Sequence, residues 1–224
     1  MPKVGMEPIR RAQVIQAVIQ RIVEGGLETL TMDAVAKKAG VSKGVVNHYF
    51  AGKRDLLLKS FQAFLESYNQ RMINLIHPDL SAMDMLYFII DVCFPDSEVV
   101  LPLWQDDPQK MRKPMPVDGS APRFSMEELG KVYVHFLAKT LLDQDFKAVY
   151  LKAYAAYLTG TMEVIQQGVE TGEFRDVDPR EAACGFLALV DGMIIYYNIG
   201  FQPLSPPDVK KMCRDYIQRY LLKP

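Results

Sequence analysis

Residues 30–53 constrain the fold more than any other part of the chain, because they read as two short helices with a glycine between them. Thr31 and Ser42 each precede a run of small apolar residues, and both are good helix N-caps. Gly40 ends the first helix, and the second covers only residues 43–49. Two short helices joined by a glycine-containing turn make a helix-turn-helix unit.

The second of these helices has the character of a surface that reads DNA. It is too short, and too polar at Lys43, Asn47 and His48, for an ordinary core element. A recognition helix lies in the major groove with its first residues at the base edges. The charge distribution supports this interpretation. Residues 1–60 carry ten Lys or Arg and five acids, a net charge of +5, whereas the remainder has a net charge of −6. From spacing and charge alone, a three-helix packing module without a nucleic-acid partner stays open.

The rest of the chain is helical in its apolar periodicity. Helices are expected at about 8–24, 53–76, 82–94, 125–143, 146–171, 179–200 and 206–222. Residues 95–124 hold six prolines, so at most short helical turns fit there, as a lid or an insertion. The predicted fold is all-α, with a three-helix DNA-binding domain containing the helix-turn-helix over residues 1–52. A larger helical ligand-binding and dimerisation bundle follows over residues 53–224.

Composition and apolar content point to the cytoplasm. Three cysteines form neither a zinc pattern nor a disulfide framework, which favours a reducing compartment. The N-terminus lacks the apolar core of a signal peptide. Residues 182–201 are apolar enough to resemble a membrane span, but Asp191 at their centre would cost roughly 2.5–3.5 kcal/mol on insertion. A helix buried in a bundle or in a subunit interface is expected instead, with no membrane partner.

No pattern of catalytic residues emerges from the sequence. The chain has no glycine-rich nucleotide loop, no serine-centred elbow and no His-x-x-x-His metal pair. Its histidines, at 48, 77 and 135, are scattered. We therefore expect a protein that is not an enzyme, with no catalytic residues, no cofactor and no metal site.

Residues 30–53 resemble the DNA-binding signature of the TetR-family transcriptional repressors. The Ala39-Gly40-Val41-Ser42-x-Gly44 core, the Tyr49-Phe50 pair and the following Lys53 are all in register, and the match covers about residues 9–60. The opening residues and the phrase Asn47-His48-Tyr49-Phe50 further resemble the choline-responsive regulators of glycine betaine synthesis. Most of the family carries an aromatic residue where this chain has Asn47. The resemblance implies double-stranded DNA as a partner and a ligand-responsive repressor as the function.

The resemblance also assigns roles to single residues. The positions that usually hold phosphates in the family are Thr31, Ser42, His48, Tyr49 and Lys53. The base-facing surface of the recognition helix corresponds to Lys43, Gly44, Val45 and Asn47. An Asn side chain can pair with adenine in a bidentate way, and a valine can touch a thymine methyl group. A mainly packing role for Tyr49 stays open.

TetR-like proteins usually bind a small-molecule effector inside the C-terminal bundle. Binding of the effector is expected to release the repressor from DNA. Candidate ligand-binding residues are the aromatic ones on predicted helices and in the proline-rich segment: Phe94, Trp104, Tyr133, Phe136, Tyr150, Tyr154, Tyr157 and Tyr197. Such aromatic residues suit a quaternary ammonium group through cation–π attraction. An apolar or aromatic compound, or a purely structural core, stays open for the same residues.

A two-fold homodimer is expected, because one short reading helix seldom contacts enough bases, whereas two read a palindromic operator. The predicted interface uses the 146–171 and 179–200 helices. On the second helix it comprises Ala183, Phe186, Leu187, Val190, Met193, Ile194 and Tyr197. On the first it comprises Tyr154, Leu158, Met162, Ile165 and Val169. The alternative is that both helices fill the core of the monomer.

Overall fold

The computed structural model describes residues 7–75, 80–100, 122–201 and 204–223, and this part of the chain is almost entirely helical. The helices are α1 (Glu7–Gly25), α2 (Met32–Lys38), α3 (Lys43–Tyr49), α4 (Lys53–Leu75), α5 (Ala82–Cys93), α6 (Met126–Thr140), α7 (Gln144–Glu170), α8 (Pro179–Ile199) and α9 (Pro206–Leu221). One 3-10 turn, Leu27–Thr29, precedes α2. The predicted all-α class with an N-terminal helix-turn-helix is confirmed.

Two short strands correct the expectation for the proline-rich segment. β1 (Val99–Val100) and β2 (Arg123–Phe124) pair antiparallel, with Val99 opposite Phe124. The prediction of at most short helical turns over 95–124 is therefore wrong at these two described ends. Adjacent β-branched valines and an aromatic partner favour extended pairing over a helical turn.

The chain divides into two compact units by packing. The first comprises residues 1–67, 99–124 and 131–150, and the second comprises residues 68–98, 125–130 and 151–224. Their limits fall inside α4, α6 and α7. Because these units reflect packing rather than function, the predicted boundary after residue 52 stays a prediction.

In the first unit, the predicted caps set the start of α2 and α3. The Thr31 hydroxyl oxygen accepts a hydrogen bond from the Ala34 N–H at 3.1 Å, and that of Ser42 accepts one from the Val45 N–H at 3.3 Å. Gly40 follows α2 with a φ of +66°, a left-handed conformation that suits glycine at a helix end. These signals confirm the helix bounds and leave seven residues in each helix.

The first unit also contains a stack of aromatic rings. Phe61 of α4 lies 4.8 Å from Phe136 of α6 and 5.9 Å from Phe146 of α7, measured between ring centroids. All three side chains are buried. Stacked rings at these separations contribute to stability beyond their buried area, so they fix the parts of α4, α6 and α7 that belong to this unit.

The second unit has its own apolar core, built mainly from α5, α8 and α9 with one face of α7. Asp178 caps the start of α8 by accepting hydrogen bonds from two backbone N–H groups, and Gly200 ends the helix in the left-handed conformation. Among the described helices, only α8 is long and apolar enough to span a membrane, with a mean hydropathy of 1.5. Instead, one side of α8 is packed into this core.

Candidate nucleic-acid interface and effector site

Helix α3 presents a polar face because its apolar side is held in the core. Val46 is fully buried, and Phe50, directly after the helix, is 1% exposed. The opposite face leaves Lys43, Gly44 and Asn47 exposed to solvent. This is the arrangement that a recognition helix needs, with one side anchored and the other available to base edges.

The remaining predicted DNA-binding residues lie in the same unit, around this face. Thr31, Ser42, His48 and Lys53 are exposed, whereas Val45 and Tyr49 are half-buried. The rings of His48 and Tyr49 meet edge to face, with centroids 5.0 Å apart. The fold thus brings all nine predicted residues into one unit, and their contacts with DNA stay predictions.

Three basic side chains of the DNA-binding region, Arg21, Lys38 and Lys43, are already paired with acids. The Lys43 ammonium donates to Asp33 at 2.8 Å. Glu24 accepts from Arg21 and from Lys38, and the hydrogen bond from Lys38 is the main reason that the pKa of Glu24 lies below its ordinary value. These pairs reduce the number of cations that are immediately available to phosphates.

A tight connection joins α3 to α4. Gly52 has a φ of +94°, in the left-handed region where any other residue would be strained. The Ala51 N–H donates to the Asp55 carboxylate at 2.8 Å, which caps the first turn of α4. This connection sets where Lys53 begins the helix.

The candidate effector residues fall into two groups. Tyr133, Phe136 and Tyr150 lie in the first unit, where the two tyrosine hydroxyls are 3.2 Å apart and Phe136 is fully buried. Trp104 lies outside the described residues. The fold therefore does not place the whole predicted set in one unit.

The second group belongs to the core of the second unit. Phe94 is fully buried there, and Tyr154, Tyr157 and Tyr197 pack against the same cluster. The Tyr154 hydroxyl donates a hydrogen bond to the Asp191 carboxylate at 2.9 Å. A carboxylate beside a tyrosine offers negative charge and an aromatic face together, which suits an organic cation.

Asp191 was not among the predicted ligand-binding residues, although the sequence held a signal for it. It is the single charge within residues 182–201, and a charge in an apolar helix needs a partner. Its partner, Tyr154, lies 37 positions earlier, so the pairing itself was not readable from local sequence. Within the described residues, no group of three or more His, Cys, Asp and Glu is arranged to hold a metal ion.

A capped helix-turn-helix with an exposed polar recognition helix, in a chain that also builds a helical core, defines a helix-turn-helix transcriptional regulator. Comparisons with known proteins agree. Residues 14–59 match the model of bacterial regulatory proteins of the tetR family, and residues 120–222 match that of the BetI-type transcriptional repressor C-terminal domain. The chain therefore has a TetR-family N-terminal domain and a BetI-type C-terminal domain, and it is a ligand-responsive transcriptional repressor.

The similarity to individual relatives covers almost the whole chain. The HTH-type transcriptional regulator BetI of Klebsiella pneumoniae is 27% identical over 237 residues, covering 100% of both chains. BetI of an Escherichia coli strain is 26% identical, covering 99% of this chain and 98% of its own. A transcriptional regulator from Saccharomonospora viridis, crystallised with choline, superposes with a TM-score of 0.77 at 19% identity, covering 96% of this chain and 98% of its own. At that identity the likeness shows the fold.

Proposed function

We propose that this repressor binds a palindromic operator as a two-fold homodimer in the cytoplasm and is released by a small quaternary ammonium compound. The observation that carries the DNA-binding part is the exposed face of α3, which is polar and is backed by the buried Val46. Asn47 on that face would read bases, and Lys53 would hold a phosphate. A helical binding module without DNA is the alternative, and it would show no salt-dependent affinity for duplexes.

The proposed dimer uses a different face of α8 from the one that periodicity suggested. The predicted interface residues on α8 are core residues of a single protomer, since Ala183, Phe186 and Val190 are at most 3% exposed. The α7 residues that were to pair with them across the axis also contribute to that protomer's core cluster. The interface prediction is therefore wrong for these buried residues, which belong to the core of the protomer.

A second stripe on α8 remains for a partner. After Glu181 in the first turn, the exposed and half-buried residues along its outer side are small or apolar: Cys184, Gly185, Ala188, Gly192, Ile195, Tyr196 and Ile199. Apart from the adjacent residues and the backbone of α8 itself, no atom of the described part of the chain lies within 4 Å of the point where a side chain of Gly185 or Gly192 would begin. Another helix could approach this stripe closely.

The outer side of α9 adds Met212, Tyr216 and Tyr220 at four-residue spacing, all exposed. Two α8–α9 pairs would make a four-helix interface across the axis.

The proposed effector class rests on Tyr154 and Asp191. A quaternary ammonium group has no proton to donate, so it binds through charge and aromatic faces rather than hydrogen bonds. The Asp191 carboxylate supplies the charge, and its hydrogen bond from Tyr154 fixes its orientation. The names of the BetI relatives and the choline complex of the Saccharomonospora viridis regulator favour choline as the first compound to test.

The test begins with selection of bound fragments from genomic DNA, followed by titration of the best duplex with and without choline. We expect a steep salt dependence and at least about a tenfold loss of operator affinity in choline, which corresponds to 1.4 kcal/mol of coupling. Asp191→Asn should abolish the choline response and keep operator binding. Glu163→Gln, which neutralises an exposed acid of α7, is the matched control. A wild-type protein that binds choline yet keeps its operator affinity would overturn the effector assignment.

A further inference from the structure

Lys43, the first residue of the recognition helix, is held by an acid from the preceding helix. Its ammonium nitrogen donates to the Asp33 carboxylate at 2.8 Å. Both side chains are exposed, 54% for Lys43 and 69% for Asp33. Asp33 lies two residues after Thr31, in the first turn of α2. The pair therefore sits at the solvent-facing surface from which α3 would read DNA.

This ion pair neutralises the main charge of the reading helix. Lys43 is the only Lys or Arg in α3, and His48 is the only other residue there that can carry a positive charge. An exposed ion pair contributes little to folding stability. Its consequence is therefore expected in DNA binding, where one charge at the interface matters more.

A free lysine would favour DNA of any sequence. Its ammonium is a compact charge on a flexible stem, and it binds any phosphate within reach. Phosphate contacts raise affinity without carrying sequence information, whereas a hydrogen bond to guanine O6 or N7 discriminates. Asp33 occupies one of the three ammonium protons of Lys43 and restricts the direction of the other two.

We infer that Asp33 is a specificity-determining residue that keeps Lys43 from phosphates and directs it to base edges. The inference rests on the proposed role of α3 in reading DNA. Specificity commonly depends on suppressing wrong contacts as well as on making correct ones. Asp33 thus lowers affinity for all DNA and lowers it least for the operator.

The experiment compares Asp33→Asn with the wild-type full-length chain on two duplexes, the best operator from the selection and a shuffled duplex of the same composition. Titrations run at several salt concentrations. We expect the variant to bind the shuffled duplex roughly fivefold to tenfold tighter near 0.1 M salt, with a salt slope larger by about one, as for one added phosphate contact. Operator affinity should change less, so the ratio of the two affinities falls.

Three variants separate this role from simpler ones. Asp33→Glu keeps the charge and should keep most of the ratio. Glu28→Gln removes an equal charge from an exposed acid of the 3-10 turn and should leave the ratio unchanged. In a Lys43→Ala background, Asp33→Asn should have no further effect on the ratio, because the inferred role of Asp33 is exerted through its ion pair with Lys43. Thermal melting of each variant checks that the fold is intact.

An unchanged ratio in Asp33→Asn would overturn this inference alone, provided that the wild-type chain prefers its operator. The same holds if Glu28→Gln lowers the ratio equally, or if Asp33→Asn still lowers it without Lys43. A wild-type chain that binds both duplexes equally would overturn the proposed reading role of α3 and this inference with it.

Discussion

Arg54 and Asp143 form a two-point ion pair, in which the guanidinium Nε and Nη2 donate to the two carboxylate oxygens at 3.0 and 2.8 Å. The same Nη2 also donates to Asp145 at 2.7 Å. Arg54 is the second residue of α4, directly after Lys53, and the two acids flank the start of α7. All of these residues lie in the first compact unit. The beginning of α4 is thereby tied to the turn between α6 and α7.

This pair makes a small part of the folding stability depend on pH. The hydrogen bond from Arg54 lowers the pKa of Asp143 below its ordinary value of 3.8. A carboxyl whose pKa is lowered by folding stabilises the fold above its unfolded pKa and loses that effect as the pH falls through the folded pKa. Arg54→Ala should therefore lower the melting temperature slightly at neutral pH, and the difference from wild type should vanish in acid. Melting curves between pH 2.5 and 7 measure it, and a difference that grows in acid would contradict this assignment.

Asn47→Ala and Lys53→Ala should affect DNA binding in different ways. Asn47 lies on the exposed face of α3, and Lys53 begins α4. Loss of a bidentate base contact should cost roughly 1–3 kcal/mol of discrimination at one operator position, whereas loss of a phosphate contact should weaken all duplexes and lower the salt slope by about one. Binding isotherms on operator variants at several salt concentrations separate the two. Unchanged operator preference in Asn47→Ala would refute base reading by this residue.

Arginine on the two sides of α8 should have opposite outcomes. Ala188 is exposed on the outer stripe, and Val190 is 3% exposed in the core. Ala188→Arg should give folded monomers that no longer hold the operator, because two like charges would meet across the axis. Val190→Arg should instead unfold the protein, because an unpaired charge in a core costs about 4 kcal/mol or more. Sedimentation and circular dichroism distinguish these results, and a wild-type chain that is monomeric at micromolar concentration would refute the dimer.

Alkylation of two cysteines tests the burial of the core and the exposure of the outer stripe of α8. Burial raises the pKa of the Cys213 thiol to about 11, so at pH 8 it should carry about a hundredfold less thiolate than a thiol with the ordinary value of 9.0. Cys184 is exposed on the outer stripe of α8. With iodoacetamide at pH 8, peptide mass spectrometry should find Cys213 unmodified until urea is added. Labelling of Cys184 should slow as protein concentration rises, and labelling independent of concentration would count against burial of this stripe in a dimer.

Local sequence signals predicted the helices closely. Thr31 and Ser42 marked the starts of α2 and α3, and the proline-rich segment marked the gap between α5 and α6. Each of these signals acts on its own helix terminus or on neighbouring residues, so no tertiary information was needed. The two-residue strands were missed because so short a pairing depends on a partner segment more than 20 residues away.

Hydrophobic periodicity could not predict which side of α8 faces the core, because that helix is apolar on both sides. One side holds Phe186 and Val190 in the core, and the other carries Ala188 and Ile195 toward solvent. A pattern with apolar residues all round predicts burial without saying which side meets the protomer's own core. The contacts of Arg54 with Asp143 were equally beyond reach, since residues 89 positions apart leave no local pattern.

The outer stripe on α8 has a consequence for how repression depends on the amount of the protein in the cell. If only a second copy covers it, protomers at low abundance exist apart, and a palindrome gains a full complement of reading helices only when two of them meet. Operator occupancy then rises with the square of protomer abundance, so halving synthesis of the protein leaves about a quarter of the repressing species. In that dimer, Gly185 and Gly192, which keep this stripe flat, would set how tightly two protomers associate and so the abundance at which the regulated genes begin to respond.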